Sequence, residues 1–282
     1  MSDLLSVMIA PFAACMVLVA LFAYLGIHVI AREVIFVDLS LAQMAALGST
    51  SALLFGVAPR SSLGHLFAVG ATTLGALIFS ATRTRRERRR VPQEAIVGIV
   101  FVVASAAAIL VADRAPTGSE LIKDVLVGSI LWVDWLTVLQ LAVVFVAVGA
   151  FQWSLRHRFL TISLHEEKAE QRGWSIKWWD FLFYASFGVA ITFAVPIAGV
   201  LLVFTFLVVP AVIAFLFART PTLLMGISWL AGVLASAAGL YLSFQFDLPT
   251  GPLIVCVFGV VLIGAGLVSL KVHAPGQRVG VR

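Results

Sequence analysis

The chain has 282 residues, 61% of them hydrophobic and 12% charged, with a mean hydropathy of +1.08. A soluble domain carries roughly 25% charged residues, so this composition excludes a water-soluble globule and a disordered chain alike. The net charge of +5 and the pI of 9.7 do not indicate a nucleic-acid binder, because no aromatic interleaving or nucleic-acid motif accompanies the basic residues.

A bilayer core of about 30 Å takes roughly 20 apolar residues in a helix, and nine runs approach that length. The first, Leu4 to Ile30, lacks a basic leader and is too long for a signal-peptide core, so it reads as a span. Val34 to Gly56, Leu63 to Thr82, Ala95 to Ala112 and Leu136 to Trp153 follow. Phe181 to Val195 is short and can fold back with Gly199 to Ala218; Leu223 to Phe244 and Leu253 to Leu270 complete the set. The segment Gly118 to Trp135 is apolar but carries Lys123, Asp124 and Asp134 and is interrupted by Gly128. It predicts a half-inserted element packed in protein on the outer side. The fold class is therefore all-α: a polytopic membrane helix bundle of about eight or nine transmembrane helices. One domain covers 1–270, and a short cytoplasmic tail covers 271–282.

Basic residues cluster between Arg83 and Arg90, between Arg156 and Lys177, and from Lys271 onward. The positive-inside rule places those loops and Arg219 in the cytoplasm, which leaves Arg60, Arg114, Lys123 and the N-terminus outside. Trp132 and Trp135 then mark the outer interface, and Trp153, Trp178 and Trp179 the inner one.

Within the second basic loop, Thr161 to Trp174 reads TISLHEEKAEQRGW. Ser163 and Glu166 fit the S-x-x-E capping box, and Gly173 is placed to end a helix in a left-handed conformation. The pattern predicts a short polar helix at about 163–173, either a solvated connector or a lever for a soluble partner.

Polar groups inside spans are costly and usually face a cavity or a partner. Asp38 and Gln43, in the second span, are candidates for a translocation path, with snorkelling or capping as the plain reading of Asp38 and interhelical bonding that of Gln43. Glu94, after Pro92, reads as a helix N-terminal carboxylate. Asp247, in FDLPTGP, is either a capping turn or a lining group at the outer mouth. Cys15 and Cys256 are isolated in apolar runs, so neither a disulfide nor a thiolate zinc site is expected. The five histidines include no i, i+4 pair, and no metal cage or bound cofactor is expected. Gly259 and Gly264 have P-loop spacing but no following lysine, so this chain should not bind ATP and an enzyme reading is weak. Gly98, Ala104, Ser105 and Ala108 in the fourth span, and Gly259, Gly264 and Gly266 in the last, suggest close helix packing. Pro196 and Pro210 predict interruptions.

Four stretches carry a family resemblance: LAQMAALG at 41–48; EAIVGIVF with LVGSILWV across 94–133; HEEKAEQRG at 165–173; and GVLLVFTFLVVPAVIA followed by DLPTGP. In this order they make the chain similar to the ABC-3 permeases, membrane subunits of bacterial zinc, manganese and iron importers. The resemblance implies a type II ABC importer-like fold in the inner membrane and a second copy of the permease. It also implies cytoplasmic ABC ATPase subunits and an extracytoplasmic metal-binding protein. The polar helix matches the family's coupling helix, which assigns ATPase contact to Glu166, Glu167, Ala169 and Gly173. The family commonly shows an Asp and a His four residues apart before a Pro-Gly pair; here Leu39 and Gln43 stand there, with Leu47 at the proline. An amide is a poorer metal ligand than an imidazole, so metal selection is expected to rest mostly with the binding protein. The alternatives are a type II permease for a siderophore or cobalamin and a stand-alone secondary transporter; no inverted repeat supports the latter.

Overall fold

The computed structural model describes residues 2–59, 61–83, 91–114 and 128–272, with side chains from residue 8 onward. The arginines at 85–90, Arg60, the 115–127 part of the expected half-inserted element and the tail beyond 272 lie outside the described residues. Among the described residues, ten α-helices follow in order: α1 Ser2–Ala31, α2 Val37–Leu53, α3 Ser62–Ala81, α4 Gln93–Ala112, α5 Trp135–Ser154, α6 Arg156–Leu164, α7 Glu166–Gln171, α8 Ile176–Phe217, α9 Pro221–Phe246 and α10 Thr250–Val272.

Among the described residues, seven helices are long and apolar enough to cross a membrane: α1, α3, α4, α5, α8, α9 and α10. Two differences separate this count from the nine runs in the sequence. Helix α2 has 17 residues, and the sixth and seventh runs are joined in α8, which is 42 residues long. A straight helix of that length would measure about 63 Å, twice a bilayer core.

Helix α8 does not run straight. Phe187 meets Phe22 at 6.4 Å and Phe183 meets His28 at 5.5 Å between ring centroids, while Leu207 and Ala211 lie against Gly26. Phe183 and Leu207 would stand about 36 Å apart on a straight helix, yet both touch the same stretch of α1. The chain folds back at Gly199, whose φ of 77° and ψ of 157° lie in a region open essentially only to glycine. The break follows Pro196, and the Ile197 carbonyl it leaves accepts from Ser129 N–H at 2.9 Å. Gly128, at φ 69°, makes that approach possible: a Cβ there would strike the Ala198 backbone. The described end of the expected half-inserted element, including the 3-10 turn Ile130–Trp132, is thus packed against protein.

Helices α1 and α8 form the centre and are largely buried, whereas α10 is peripheral. Leu18, Phe22, Leu25, Phe183, Phe187 and Phe206 make the core between them. Helix α2 packs on α3 and α4, and α9 on α1, α8 and α10. Large apolar side chains such as Val102, Leu139, Leu234 and Ile263 point outward, the surface that lipid rather than water satisfies.

The close approaches fall mostly on glycines other than those the pattern of small residues picked out. A Cβ on Gly98, Gly259, Gly264 or Gly266 would meet nothing within 4 Å, although Ala104 and Ala108 are buried. Tight contacts include Gly26, where a Cβ would strike the Leu207 carbonyl, Gly188, where it would lie 2.8 Å from Thr72, and Gly232, where it would lie 2.6 Å from Val19. Gly26→Ala should therefore lower stability by about 1–3 kcal/mol through overpacking, read as a lowered thermal midpoint in detergent. Gly98→Ala should leave that midpoint unchanged or raise it.

Candidate functional site: the polar helix and its buried anchor

Residues 32–36, 82–83, 91–92 and 155–175 gather at one end of the bundle. There the chain emerges as α6, nine residues, and α7, six residues. The capping box is not formed. Ser163 lies inside the last turn of α6, His165 occupies the N-cap of α7, and no side chain caps that helix. The Ser163 hydroxyl donates to the Phe159 carbonyl at 2.8 Å and accepts from Arg32 Nε at 2.8 Å. With its one proton committed, the hydroxyl also accepts from His28 Nδ1 at 2.9 Å, so His28 carries a proton on Nδ1. The single polar helix expected at 163–173 is accordingly two helices with a break at His165. Its end matches expectation: Gly173 has φ 70°, and Trp174 N–H returns to the Ala169 carbonyl at 3.2 Å.

Beneath this pair lies a chain of charges. Arg32 Nη1 donates to Asp180 Oδ1 at 2.6 Å, with both side chains 0% exposed, and its guanidinium sits 4.0 Å from the Phe183 ring centroid. Asp180 Oδ2 lies 3.0 Å from Arg83 Nη1, an ion pair without hydrogen-bond alignment. Arg83 Nη2 meets Glu166 Oε1 at 3.1 Å, where Glu166 is 23% exposed. Burial works against the Arg83 charge, but Asp180, Tyr184 and Glu166 more than offset it and hold the guanidinium above its ordinary range. A polar cavity of about 40 Å³ beside Arg32, Arg83, Ser163 and Glu166 is roomy enough for water. Among the described residues, Arg32 Nη2 and Arg83 Nε have no hydrogen-bond partner. Nearby, Ser80 Oγ donates to the Lys177 carbonyl, and Lys177 Nζ donates to the Ala81 carbonyl at 2.9 Å. The ends of α1, α3 and α8 are thereby tied to one another and to α7.

Of the residues proposed from sequence for partner contact, Ala169 is fully buried and Glu166 faces inward to Arg83. Glu167 is exposed, as are Lys168, Gln171, Arg172 and Gly173. The three path candidates are not brought together. Asp38 is buried in the first turn of α2, with Oδ1 unpartnered. Gln43 is half-buried on α2, about 140° around the helix from Asp38. Asp247 is exposed and left-handed, φ 51°, as the C-cap of α9 at the opposite end of the bundle. Glu94 Oε1 accepts from Ile35 N–H at 2.9 Å, so it fastens the 32–36 loop to α4. Among the described residues, no group of three or more His, Cys, Asp or Glu could hold a metal ion.

Sequence reasoning missed the anchor. Asp180 carried a signal: it is the lone carboxylate within KWWDFLF, and a buried carboxylate requires a cationic partner. Asp180→Asn would leave two buried arginines short of a counter-charge and should cost about 3–5 kcal/mol. Glu166→Gln, at the half-wet end, should cost about 1 kcal/mol or less. Thermal unfolding of both variants in detergent checks the contrast.

The family model for the ABC 3 transport family matches residues 5–269. The manganese transport system membrane protein MntC of Listeria monocytogenes is 26% identical over 224 residues, 78% of this chain and 78% of that protein. The chelated iron transport system membrane protein YfeC of Yersinia pestis is 29% identical over 210 residues, 74% of this chain and 71% of that one. In fold, the chain is similar to the solved structure of PsaBC from Streptococcus pneumoniae in complex with a Fab, with a TM-score of 0.77, 99% of this chain and 98% of that one covered, and 19% identity. The apolar spans, their order and the matched length lead to one conclusion: the chain is a multi-pass membrane protein of the ABC 3 transport family.

Proposed function

We propose that the chain is the permease subunit of a bacterial ABC importer that moves a divalent metal ion, manganese, iron or zinc, across the inner membrane into the cytoplasm. Two copies would enclose the path, separate ATPase subunits would bind at the α6–α7 end, and an extracytoplasmic binding protein would deliver the metal. The observation that carries this reading is α7 itself. A short polar helix stands outside an apolar bundle, and its outward residues Glu167, Lys168 and Gln171 are left to solvent while Arg83 and Asp180 hold it from beneath.

Counting α2 and each half of α8 as a crossing gives nine. The loops carrying Arg32, Arg83, Arg158 and Arg219 then share one side, the cytoplasmic one by the positive-inside rule. Movement of α7 would pass through Glu166 and Arg83 to Asp180, and so to α1, α3 and α8. The metal is cargo: with Leu39 and Gln43 facing no cluster of ligands among the described residues, selection would rest with the delivering protein.

Gly173→Pro removes the N–H that bonds Glu170 and forbids the left-handed turn. Reconstituted with ATPase and binding protein, this variant should insert normally and lose ATP-dependent uptake of manganese. Full uptake would defeat the proposal. So would ion transport by the purified chain alone in liposomes, which would mark a secondary transporter. Competition among free manganese, iron and zinc distinguishes an ion cargo from a chelate.

A further inference from the structure

At the same end of the bundle, a second set of cations takes no part in the anchor. Arg156 lies 4.2 Å from the Trp153 ring centroid. Arg158 lies near two tryptophans, 4.4 Å from Trp179 and 5.9 Å from Trp174, and Arg172 lies 5.5 Å from Trp174. Trp179, Arg158, Trp174 and Arg172 are thus linked by successive cation–ring contacts, and Arg156 pairs with Trp153. Of the carboxylates at this end, Asp180 and Glu166 are committed to Arg32 and Arg83, and Glu167 and Glu170 stand on α7.

A guanidinium held by its face against an indole keeps its in-plane N–H groups available, the arrangement that grips a phosphate by two parallel bonds. Arg158 and Arg172 are exposed. The rings also fix the depth of the site. Trp153 closes one span and Trp178 and Trp179 open another, the positions where amphipathic rings sit at headgroup level. Directly beside the cations the surface turns apolar: Phe151, Trp153 and Trp178 are 37%, 54% and 56% exposed. A soluble acidic protein could neutralise the arginines but would leave those side chains uncovered. A molecule with a phosphate at one end and hydrocarbon at the other satisfies both.

We infer that the Arg156, Arg158 and Arg172 row is a binding site for anionic phospholipid, with the headgroup phosphate on the guanidiniums and the acyl chains along Phe151, Trp153 and Trp178. The site does not depend on the transport reading, because it requires only a membrane and the observed cation–ring contacts.

The full-length protein, purified in detergent, would be titrated with phosphatidylglycerol or phosphatidylcholine and the retained lipid counted by native mass spectrometry. Phosphatidylglycerol should be retained preferentially, and R156Q and R158Q should each weaken it by about fivefold. R219Q, in the 218–220 connection at the same end, should not. If the arginine variants insert poorly, Trp153→Leu, which keeps every charge and removes the ring under Arg156 together with part of the apolar lining, should give a comparable loss. Equal retention of the two lipids, or an equal effect of R219Q, would overturn the site in favour of a diffuse field. Displacement of the lipid by millimolar inorganic phosphate would make it a soluble-anion site. Loss of a bound ATPase with lipid retention unchanged would make it a protein contact, and either result also overturns the inference.

Discussion

A carboxylate shared between two arginines, sealed from water, determines how one end of this bundle is built. Asp180 is fully buried and so is its partner Arg32, which means that each charge is tolerable only while the other is present. Apolar residues of the same volume would hold the helices together as firmly. What the ions add is register. Arg32 must reach Asp180 and Ser163 at once, and Ser163 must also meet His28, so α6 has one seat on α1. Lys177 and Ser80 clasp α3 to α8 beside it.

The same corner extends to the buried carboxylate of α2. Arg32 and Asp38 are joined by a short connection whose backbone is fixed by Glu94 at Ile35 and by turns from Val34 to Val29 and from Val37 to Val34. Ser40 adds a bond to the Val97 carbonyl at 2.7 Å. Asp38 is therefore positioned by the same framework that carries the polar helix, whereas Asp247 belongs to a separate turn at the far end, where Ser243 and Thr250 bond each other at 2.7 Å.

Much of the fold was legible because span length is a local property. Apolar runs, basic loops and terminal tryptophans each declare themselves without knowledge of a neighbour, and Gly173 needed only its own left-handed turn. Three features were hidden because their causes are distant in sequence. Ser163 and Glu166 have the spacing of a capping box, but Arg32, His28 and Arg83 offer stronger partners than the orphan amides do. The helices are apolar on nearly every face, so periodicity could not say which glycines look inward; Gly26 and Gly232 do, while Gly259 and Gly264 do not. The third was the anchor at Asp180, whose partner Arg32 lies 148 residues away, whereas the fold-back of the sixth run onto the seventh was legible in the sequence.

Six residues are too few to stay helical in water unaided, because the cost of nucleation is recovered only over longer stretches. The shape of α7 is therefore on loan from the bundle: Ala169 plugs into it, and Glu166 is moored to it. Any neighbour that recognises α7 as a helix is in effect sensing whether the whole basal framework is intact, and a permease with a disrupted base would offer nothing to hold.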